Sequence, residues 1–195
     1  MREYFKNTLK IIDESIESLD DEMFQKLIDE CTICLKNGGK IVASGLGKNV
    51  PICEKFVGTM SSFGLDSCFL HSNTAMHGDL GMIKPNDVVI VLSKSGNTRE
   101  SIELIENLPP KKANLWIMTF NKNGKMSNYT DKSIILDLLN EGDQWNIAPN
   151  NSTTIFLIVL QALAVELSKT MGVTIDDFKL NHPGGGIGAK LKGIK

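Results

Sequence analysis

The sequence lacks most of the features that define a specialised class of protein. Aromatic residues make up only 6% of the 195 residues, and the formal net charge at neutral pH is -2. A chain with a slightly negative net charge and no block of basic residues has no basic face that could release counterions from nucleic acid, so we expect no nucleic-acid partner. The hydrophobic fraction of 42% and the charged fraction of 23% are close to globular averages, which argues against disorder.

Cysteine is also scarce, and its four copies do not form a metal-binding pattern. Cys31 and Cys34 make one CxxC pair, but no second pair follows, as a zinc ribbon would require. The pair lies within a helical pattern and far from any strand-to-helix turn, where a thioredoxin-like motif would be found. We therefore predict reduced packing residues, with Cys53 and Cys68 among them.

A long uninterrupted apolar run is missing as well. The first six residues mix acids and bases, whereas a secretory signal needs an apolar stretch. The most apolar segment, residues 155–167, is shorter than the ~20 residues that cross a bilayer, and Gln161 and Glu166 interrupt it. We expect a cytoplasmic protein without a membrane partner.

Hydrophobic periodicity is the main signal that is present. Apolar residues at spacings of three and four predict two amphipathic helices within residues 3–36. Five short apolar runs then alternate with helical segments, and each has the length of a buried strand. They are 41–43, 67–70, 88–92, 115–118 and 134–136. This order predicts an α/β fold, a three-layer αβα sandwich around a five-stranded parallel sheet.

The domain organisation follows from the same pattern. No repeat, low-complexity tract or linker divides the chain, so we expect one domain over residues 1–195. Within it, residues 1–38 are predicted to form N-terminal helices that pack on the rest. Residues 39–195 are predicted to form the αβα core and a glycine-rich C-terminal tail.

A loop after the third predicted strand carries the strongest chemical signal. It reads Ser93-Lys94-Ser95-Gly96-Asn97-Thr98 and leads directly into a helical pattern. Three hydroxyls, a glycine that permits close backbone approach and the free amides of a helix N-terminus are suited to binding a phosphate. A helix cap needs only one hydroxyl, so three of them favour a phosphate loop over a capping cluster.

A second glycine turn, Ser44-Gly45-Leu46-Gly47-Lys48, follows the first predicted strand. It lacks the third glycine of a dinucleotide fingerprint and the spacing of a Walker loop, so neither NAD nor ATP is indicated. Parallel strands share one carboxyl edge, which brings Ser44 near the phosphate loop and lets Lys48 offer a cation to a sugar phosphate. A solvated Lys48 without a role is the alternative interpretation.

Two further turns at this edge carry ionisable residues. His71, His77 and Asp79 follow the second strand, and a metal site with an open position needs about three such ligands. Glu141 follows the fifth strand, where a carboxylate can remove a proton from carbon. An ordinary surface carboxylate is the usual interpretation of one such residue, and the sequence pattern alone leaves both possibilities open.

Taken together, these segments resemble a sugar isomerase (SIS) domain, and within that superfamily the KpsF/GutQ type of arabinose-5-phosphate isomerase. The matching segments are GLGK at 45–48, HGDLGM at 77–82, SKSG at 93–96, AP at 148–149 with STT at 152–154, ALAV at 162–165 and HPGG at 182–185. HGDLGM and HPGG are more specific to this isomerase group than the serine loop. The chain departs from the group at Asn97, where glutamate is more common, and at Lys94.

The resemblance implies a set of site residues. It implies catalytic roles for Lys48, Glu100, Glu141 and His182. It implies substrate contacts for Ser44, Gly45, Gly47, His77, Ser93, Lys94, Ser95, Asn97 and Thr98. His71 is the expected ligand of an inhibitory or adventitious zinc ion, and no cofactor is expected to be required. The resemblance also implies self-association, expected as a homotetramer in which His182 reaches a neighbouring subunit's pocket.

The expected function is the interconversion of D-ribulose 5-phosphate and D-arabinose 5-phosphate through an enediol. Two alternatives stay open: another phosphosugar isomerase such as a 6-phospho-3-hexuloisomerase, and a non-catalytic module that senses a sugar phosphate. A sensor has no reason to keep Lys48, Glu100, Glu141 and His182 together. Many members of the group continue into a pair of CBS domains, and we expect this chain to be a short form without them.

Overall fold

The computed structural model describes residues 1–193. The helices are α1 (Arg2–Glu17), α2 (Asp21–Lys36), α3 (Asn49–Ser62), α4 (Arg99–Glu106), α5 (Asn151–Thr170), α6 (Ile175–Asn181) and α7 (Gly185–Leu191). The strands are β1 (Ile41–Gly45), β2 (Ser67–His71), β3 (Val88–Leu92), β4 (Asn114–Thr119) and β5 (Ser133–Ile135). Short 3₁₀ helices at Thr74–His77, Asp79–Met82, Pro109–Lys111 and Lys125–Asn128 lie in the connections. Ile194 and Lys195, the end of the predicted domain, lie outside the described residues.

The five strands form one parallel sheet in the order β2-β1-β3-β4-β5, which confirms the predicted sheet. From β1 the chain crosses through α3 to β2, and from β3 it crosses through α4 to β4 in the opposite direction. The chain therefore diverges between β1 and β3. In sheets of this kind the crevice for a ligand lies at the carboxyl ends of those two strands.

Two apolar layers cover the two faces of the sheet. Ile41, Ile90 and Trp116 are fully buried on the face that α2, α3 and α5 cover. Val42 and Val91 are fully buried on the opposite face, against α4 and the short helices. Successive strand residues point to opposite faces, so each strand supplies both layers, and each such side chain stabilises the fold by about 1.5–3 kcal/mol. The predicted three-layer αβα architecture is confirmed.

The N-terminal helices pack on this core through a polar anchor as well as apolar contacts. The Glu30 carboxylate on α2 accepts hydrogen bonds of 2.9 Å from both Trp116 Nε1 and Lys132 Nζ. Trp116 belongs to β4, and Lys132 immediately precedes β5. One glutamate therefore fixes α2 to the end of the sheet that β4 and β5 form.

Helix α5 is longer than the apolar segment that the sequence indicated. Its twenty residues make it, among residues 1–193, the one helix long and apolar enough to cross a membrane by length and composition. That corrects the length argument made from residues 155–167. Half of its most apolar window is buried inside the protein, and it contacts α1, α2 and α3. The core that α5 fills thus accounts for about half of this apolar window.

The cysteines are packing residues, as predicted. Cys31, Cys34 and Cys53 are buried, Cys68 is half-buried, and all four thiols are free. Burial raises the pKa of each thiol, and that of Cys53 reaches about 12. A thiol that stays protonated is a poor nucleophile, which agrees with a structural role.

Candidate functional site

The predicted phosphate loop joins β3 to α4 as a compact turn. Ser93 Oγ lies 2.8 Å from Thr98 Oγ1 and also accepts a 3.1 Å hydrogen bond from the Gly96 amide. Ser95 stays exposed, and its hydroxyl accepts a bond from the Asn97 amide. Thr98 makes no side-chain cap on α4, so the first amides of that helix are left without a side-chain acceptor at the N-cap. Uncapped amides and clustered hydroxyls are the donor set that an anion needs.

The segment that follows β4 holds this loop from behind. The Lys94 carbonyl accepts a hydrogen bond of 3.2 Å from Thr119 Oγ1, and the Ser95 carbonyl accepts one of 2.9 Å from Asn121 Nδ2. Gly124 lies so close to Gly96 that a Cβ atom on Gly124 would stand 2.7 Å from the Gly96 Cα. Analysis of the sequence missed these supports, because each lies more than twenty residues from its partner.

Glu141 is the most constrained ionisable residue at this edge of the sheet. Its side chain is fully buried, and its Oε1 accepts bonds of 2.7 Å from both Lys94 Nζ and Ser152 Oγ. Its Oε2 accepts the amides of Asn150 and Ser152 at 3.1 and 3.0 Å, at the start of α5. Burial alone would raise the pKa of this carboxyl, but the bonds from Lys94 and Ser152 outweigh burial and lower it. Glu141 is therefore a buried carboxylate, and the surface interpretation is wrong.

The glycine turn after β1 leads into α3. Lys48 stands at the N-cap of α3, with an exposed side chain. Within residues 1–193 its ammonium engages no hydrogen bond or ion pair. Gly45 packs directly against Asn49, and Gly47 forms the turn between them. An unengaged ammonium beside the crevice between β1 and β3 is available to a charged ligand.

Ser44 departs from the prediction. Its side chain is fully buried and its hydroxyl lies 3.1 Å from Ser72 Oγ, which in turn lies 3.4 Å from Ser101 Oγ. The Ser44 hydroxyl thus faces the interior of the layer beneath α4, and its side chain presents no exposed surface to a substrate. Three buried hydroxyls instead link the ends of β1 and β2 to α4.

Glu100 lies on the first turn of α4, directly beyond the phosphate loop. It is half-buried, and its carboxylate has no hydrogen-bond or ion-pair partner among residues 1–193. The two candidate glutamates therefore differ. Glu141 has every acceptor position engaged, whereas the carboxylate of Glu100 is open to a ligand.

The turn after β2 separates the two histidines. His77 ends the first 3₁₀ helix and is exposed near the carboxyl edge. His71 accepts a 3.2 Å bond from the Asn73 amide at Nδ1 and stands edge-on to the Phe69 ring. In the described part of the chain, no three residues of the His, Cys, Asp and Glu types converge as metal ligands. Residues 1–193 of one chain therefore do not assemble the donor set that zinc at His71 would need.

His182 lies away from the other candidates. It caps α6, stacks on Phe178 with ring centroids 4.0 Å apart, and bonds the Phe178 carbonyl at 2.8 Å. Phe178 in turn packs on Phe63, just beyond the last residue of α3. Lys48 stands at the other end of that 14-residue helix, about 21 Å away at 1.5 Å per residue. Within one chain, His182 sits at the amino edge of the sheet and the other candidates at the carboxyl edge.

A cleft of about 450 Å³ opens beside the phosphate loop. It is lined by Lys94, Ser95, Phe120, Asn121, Leu138, Leu139, Asn140 and Asn146. Its volume lies in the range of small-molecule sites, and its amides and ammonium are groups that bind hydroxyls and anions.

Comparison with known proteins agrees with this geometry. A family model described as the SIS domain matches residues 34–166. Arabinose 5-phosphate isomerase KdsD of Yersinia pestis is 37% identical over 95% of this chain. The chain spans 57% of the length of that curated relative.

Solved structures show the same likeness over nearly whole chains. A protein from Escherichia coli CFT073, in complex with arabinose 5-phosphate, is 35% identical with a TM-score of 0.86, covering 93% of this chain and 95% of its own. A protein from Methanococcus jannaschii, with an inferred 3-hexulose-6-phosphate isomerase function, has a TM-score of 0.70 and covers 91% and 94%. Its identity of 20% shows a shared fold and nothing finer.

Proposed function

This chain belongs to the SIS-domain family, and we propose that it interconverts D-ribulose 5-phosphate and D-arabinose 5-phosphate. The observation that carries the proposal is the likeness, over 93% of this chain, to a protein solved in complex with arabinose 5-phosphate. The reaction needs a phosphate-binding site, a cation and a base. The phosphate loop, the Lys48 ammonium and the Glu100 carboxylate, both unpaired within residues 1–193, supply them at one edge of the sheet. A sensor of sugar phosphates would need only the loop.

The loop is proposed to hold the phosphate. The Ser93, Ser95 and Thr98 hydroxyls and the uncapped amides of α4 donate to its oxygens, and Asn97 borders the same turn. Lys48, whose ammonium has no partner in the described chain, stabilises the oxyanion charge that develops on the sugar. His77, exposed at the same edge, orients sugar hydroxyls. Ser44 contributes through its backbone position only, because its hydroxyl is buried.

The chemical step is a proton transfer between neighbouring carbons. A base removes the C2 proton of the open-chain aldose to form an enediol and returns it to C1, while the O2 proton moves to O1. No electron leaves the sugar, so the reaction as written requires no redox cofactor. We assign the base to Glu100, because its carboxylate is open whereas that of Glu141 is fully engaged. Any zinc held by His71 is assigned an inhibitory or adventitious role.

His182 is proposed to serve a neighbouring subunit in ring opening and oxygen protonation. Support comes from its place at the opposite edge of the sheet from its own chain's loop. Exposed apolar side chains on α1 and α5, such as Phe5, Leu9 and Val165, support self-association, for which we propose a tetramer. We place the enzyme in the cytoplasm, since a charged sugar phosphate does not cross a membrane unaided.

Incubation with ribulose 5-phosphate, followed by detection of arabinose 5-phosphate, tests the activity. Ribose 5-phosphate and hexulose 6-phosphate serve as comparison substrates. Turnover of hexulose 6-phosphate alone would establish the other isomerase, and turnover of none would favour the sensor. Glu100→Gln should lower kcat by about 100-fold to 10,000-fold with phosphate affinity kept, because general base catalysis is worth that much. An unchanged kcat would remove Glu100 from the mechanism.

A further inference from the structure

Lys94 occupies an unusual place in the phosphate loop. It stands between Ser93 and Ser95, two of the hydroxyl residues, and its carbonyl is fixed by Thr119 and by the Phe120 amide. Its side chain reaches across the carboxyl edge of the sheet to Glu141, where Nζ and Oε1 are 2.7 Å apart. The lysine side chain is 42% exposed while its partner is fully buried. One face of this cation is thus paired, and the exposed part of the side chain lines the same cleft as Ser95.

The Glu141 carboxylate accepts a full set of hydrogen bonds, one of which comes from Lys94. A carboxylate has about four acceptor positions, and here four donors fill them: Lys94 Nζ, Ser152 Oγ and the amides of Asn150 and Ser152. Three of the four come from neutral groups at the start of α5. Lys94 is therefore the one donor that brings a compensating full charge.

The charge of Lys94 affects how the loop binds a phosphate dianion. Without Lys94, a buried negative charge would lie next to the site of a second negative charge, in a medium where repulsion is poorly screened. With Lys94, the pair is neutral and still presents up to two free N–H donors. We infer that Lys94 screens Glu141 from the substrate phosphate and donates to it, and that Glu141 is a positioning residue that acts through Lys94. This inference rests on the proposed function, which supplies the phosphorylated ligand.

Charge compensation distinguishes this role from a purely structural one. The variants are Lys94→Met, Lys94→Arg, Glu141→Gln and the double variant Lys94→Met/Glu141→Gln, all in the full chain. Inorganic phosphate is titrated by calorimetry at pH 8 and low salt, where Glu141 of the parent is ionised and screening is weak. Lys94→Met should weaken phosphate binding about 10-fold to 100-fold, as for loss of a charged hydrogen bond. Lys94→Arg should stay within a few-fold of the parent.

The double variant carries the decisive outcome. Removing the negative charge as well should recover about 10-fold of the affinity that Lys94→Met loses, since the local charge returns to zero. Equal phosphate affinity of Lys94→Met and the double variant would overturn the screening role. Should Glu141→Gln fail to fold, as judged by thermal melting, Lys94→Met and Lys94→Arg still decide: equal weakening in both would overturn it.

Kinetics then test the role given to Glu141. Glu141→Gln should lower kcat less than 10-fold, because the residue that accepts the carbon proton is intact. A loss of 100-fold or more in kcat with unchanged KM would make Glu141 the base and overturn the inference. Phosphate titration requires no turnover. If all phosphate results hold but no sugar phosphate is isomerised, the proposed activity fails and the screening role stands.

Discussion

The position of His182 makes a prediction that depends on geometry alone. It stacks on Phe178, which packs on Phe63 at the C-terminal end of α3, and Lys48 lies at the N-terminal end, about 21 Å along the helix axis. No side-chain rotation spans that distance. If His182 takes part in the reaction, it must do so in the site of another subunit. His182→Ala chains and Glu100→Gln chains, each inactive alone, should therefore regain activity when mixed.

The size of the recovery follows from counting sites. In an equal mixture with free exchange, half of the pairs contain one chain of each kind. Each mixed pair has one site with both substitutions and one site with neither, so about one quarter of all sites are intact in a symmetric pair. The expected activity is about 25% of the parent's, well above the residual level of either variant.

The assay needs proof that subunits exchange. The two variants are denatured together and refolded, native mass spectrometry with a mass tag on one variant counts mixed assemblies, and formation of arabinose 5-phosphate is then measured. Separately refolded variants that are mixed only in the assay are the control. Mixed assemblies without recovered activity would refute the shared site, as would full activity in a chain that is monomeric at the assay concentration.

Three further measurements probe the fold and its ionisable groups. Asp87 is 1% exposed and bonds Lys40 Nζ at 2.6 Å, so Asp87→Asn should lower the free energy of unfolding by about 3 kcal/mol in urea denaturation. Glu14→Gln, at an exposed ion pair, should lower the free energy of unfolding by about 0.5 kcal/mol or less. Equal losses in Asp87→Asn and Glu14→Gln would contradict the role of burial. At pH 8 a thiol reagent should modify Cys53, whose pKa is about 12, far more slowly in the native than in the unfolded chain. The pKa of Glu141 is lowered from 4.5 on folding, so its stabilisation is complete above pH 4.5 and is lost as pH falls below that value; the stability gap between parent and Glu141→Gln should close in acid.

The sheet was predictable because its signal is local. Five apolar runs of strand length that alternate with helical segments predict a parallel sheet without knowledge of distant contacts. The phosphate loop was equally predictable, since hydroxyls, glycine and helix start are consecutive in the chain. Parallel strands then place such a turn at the edge where ligands bind.

The burial of Glu141 and Ser44 was not predictable in this way. Glu141 is buried because Lys94, far away in sequence, and the start of α5 converge on its carboxylate. Ser44 continues the buried strand β1, and its hydroxyl is satisfied by Ser72 from another turn. A serine that extends an apolar run without a break is the one signal that indicates burial before the fold is known.

The position of His182 depends on a contact between Phe178 and Phe63, which are far apart in the sequence. The glycine-rich sequence around the histidine does not indicate the contact with Phe63. The local sequence predicted a glycine-rich tail, whereas the edge of the sheet on which that tail packs depends on tertiary contacts.

The close approach of Gly96 and Gly124 has a consequence for protein engineering. A methyl group on Gly124 would meet the Gly96 Cα at 2.7 Å, and the Gly124 segment also supplies the amide of Met126 to the Gly96 carbonyl. The conformation of the hexapeptide from Ser93 to Thr98 therefore depends on packing against the turn after β4. Grafting the hexapeptide alone into another strand-to-helix turn would transfer its sequence but not its conformation. Moving both turns together would transfer the binding geometry to a new scaffold.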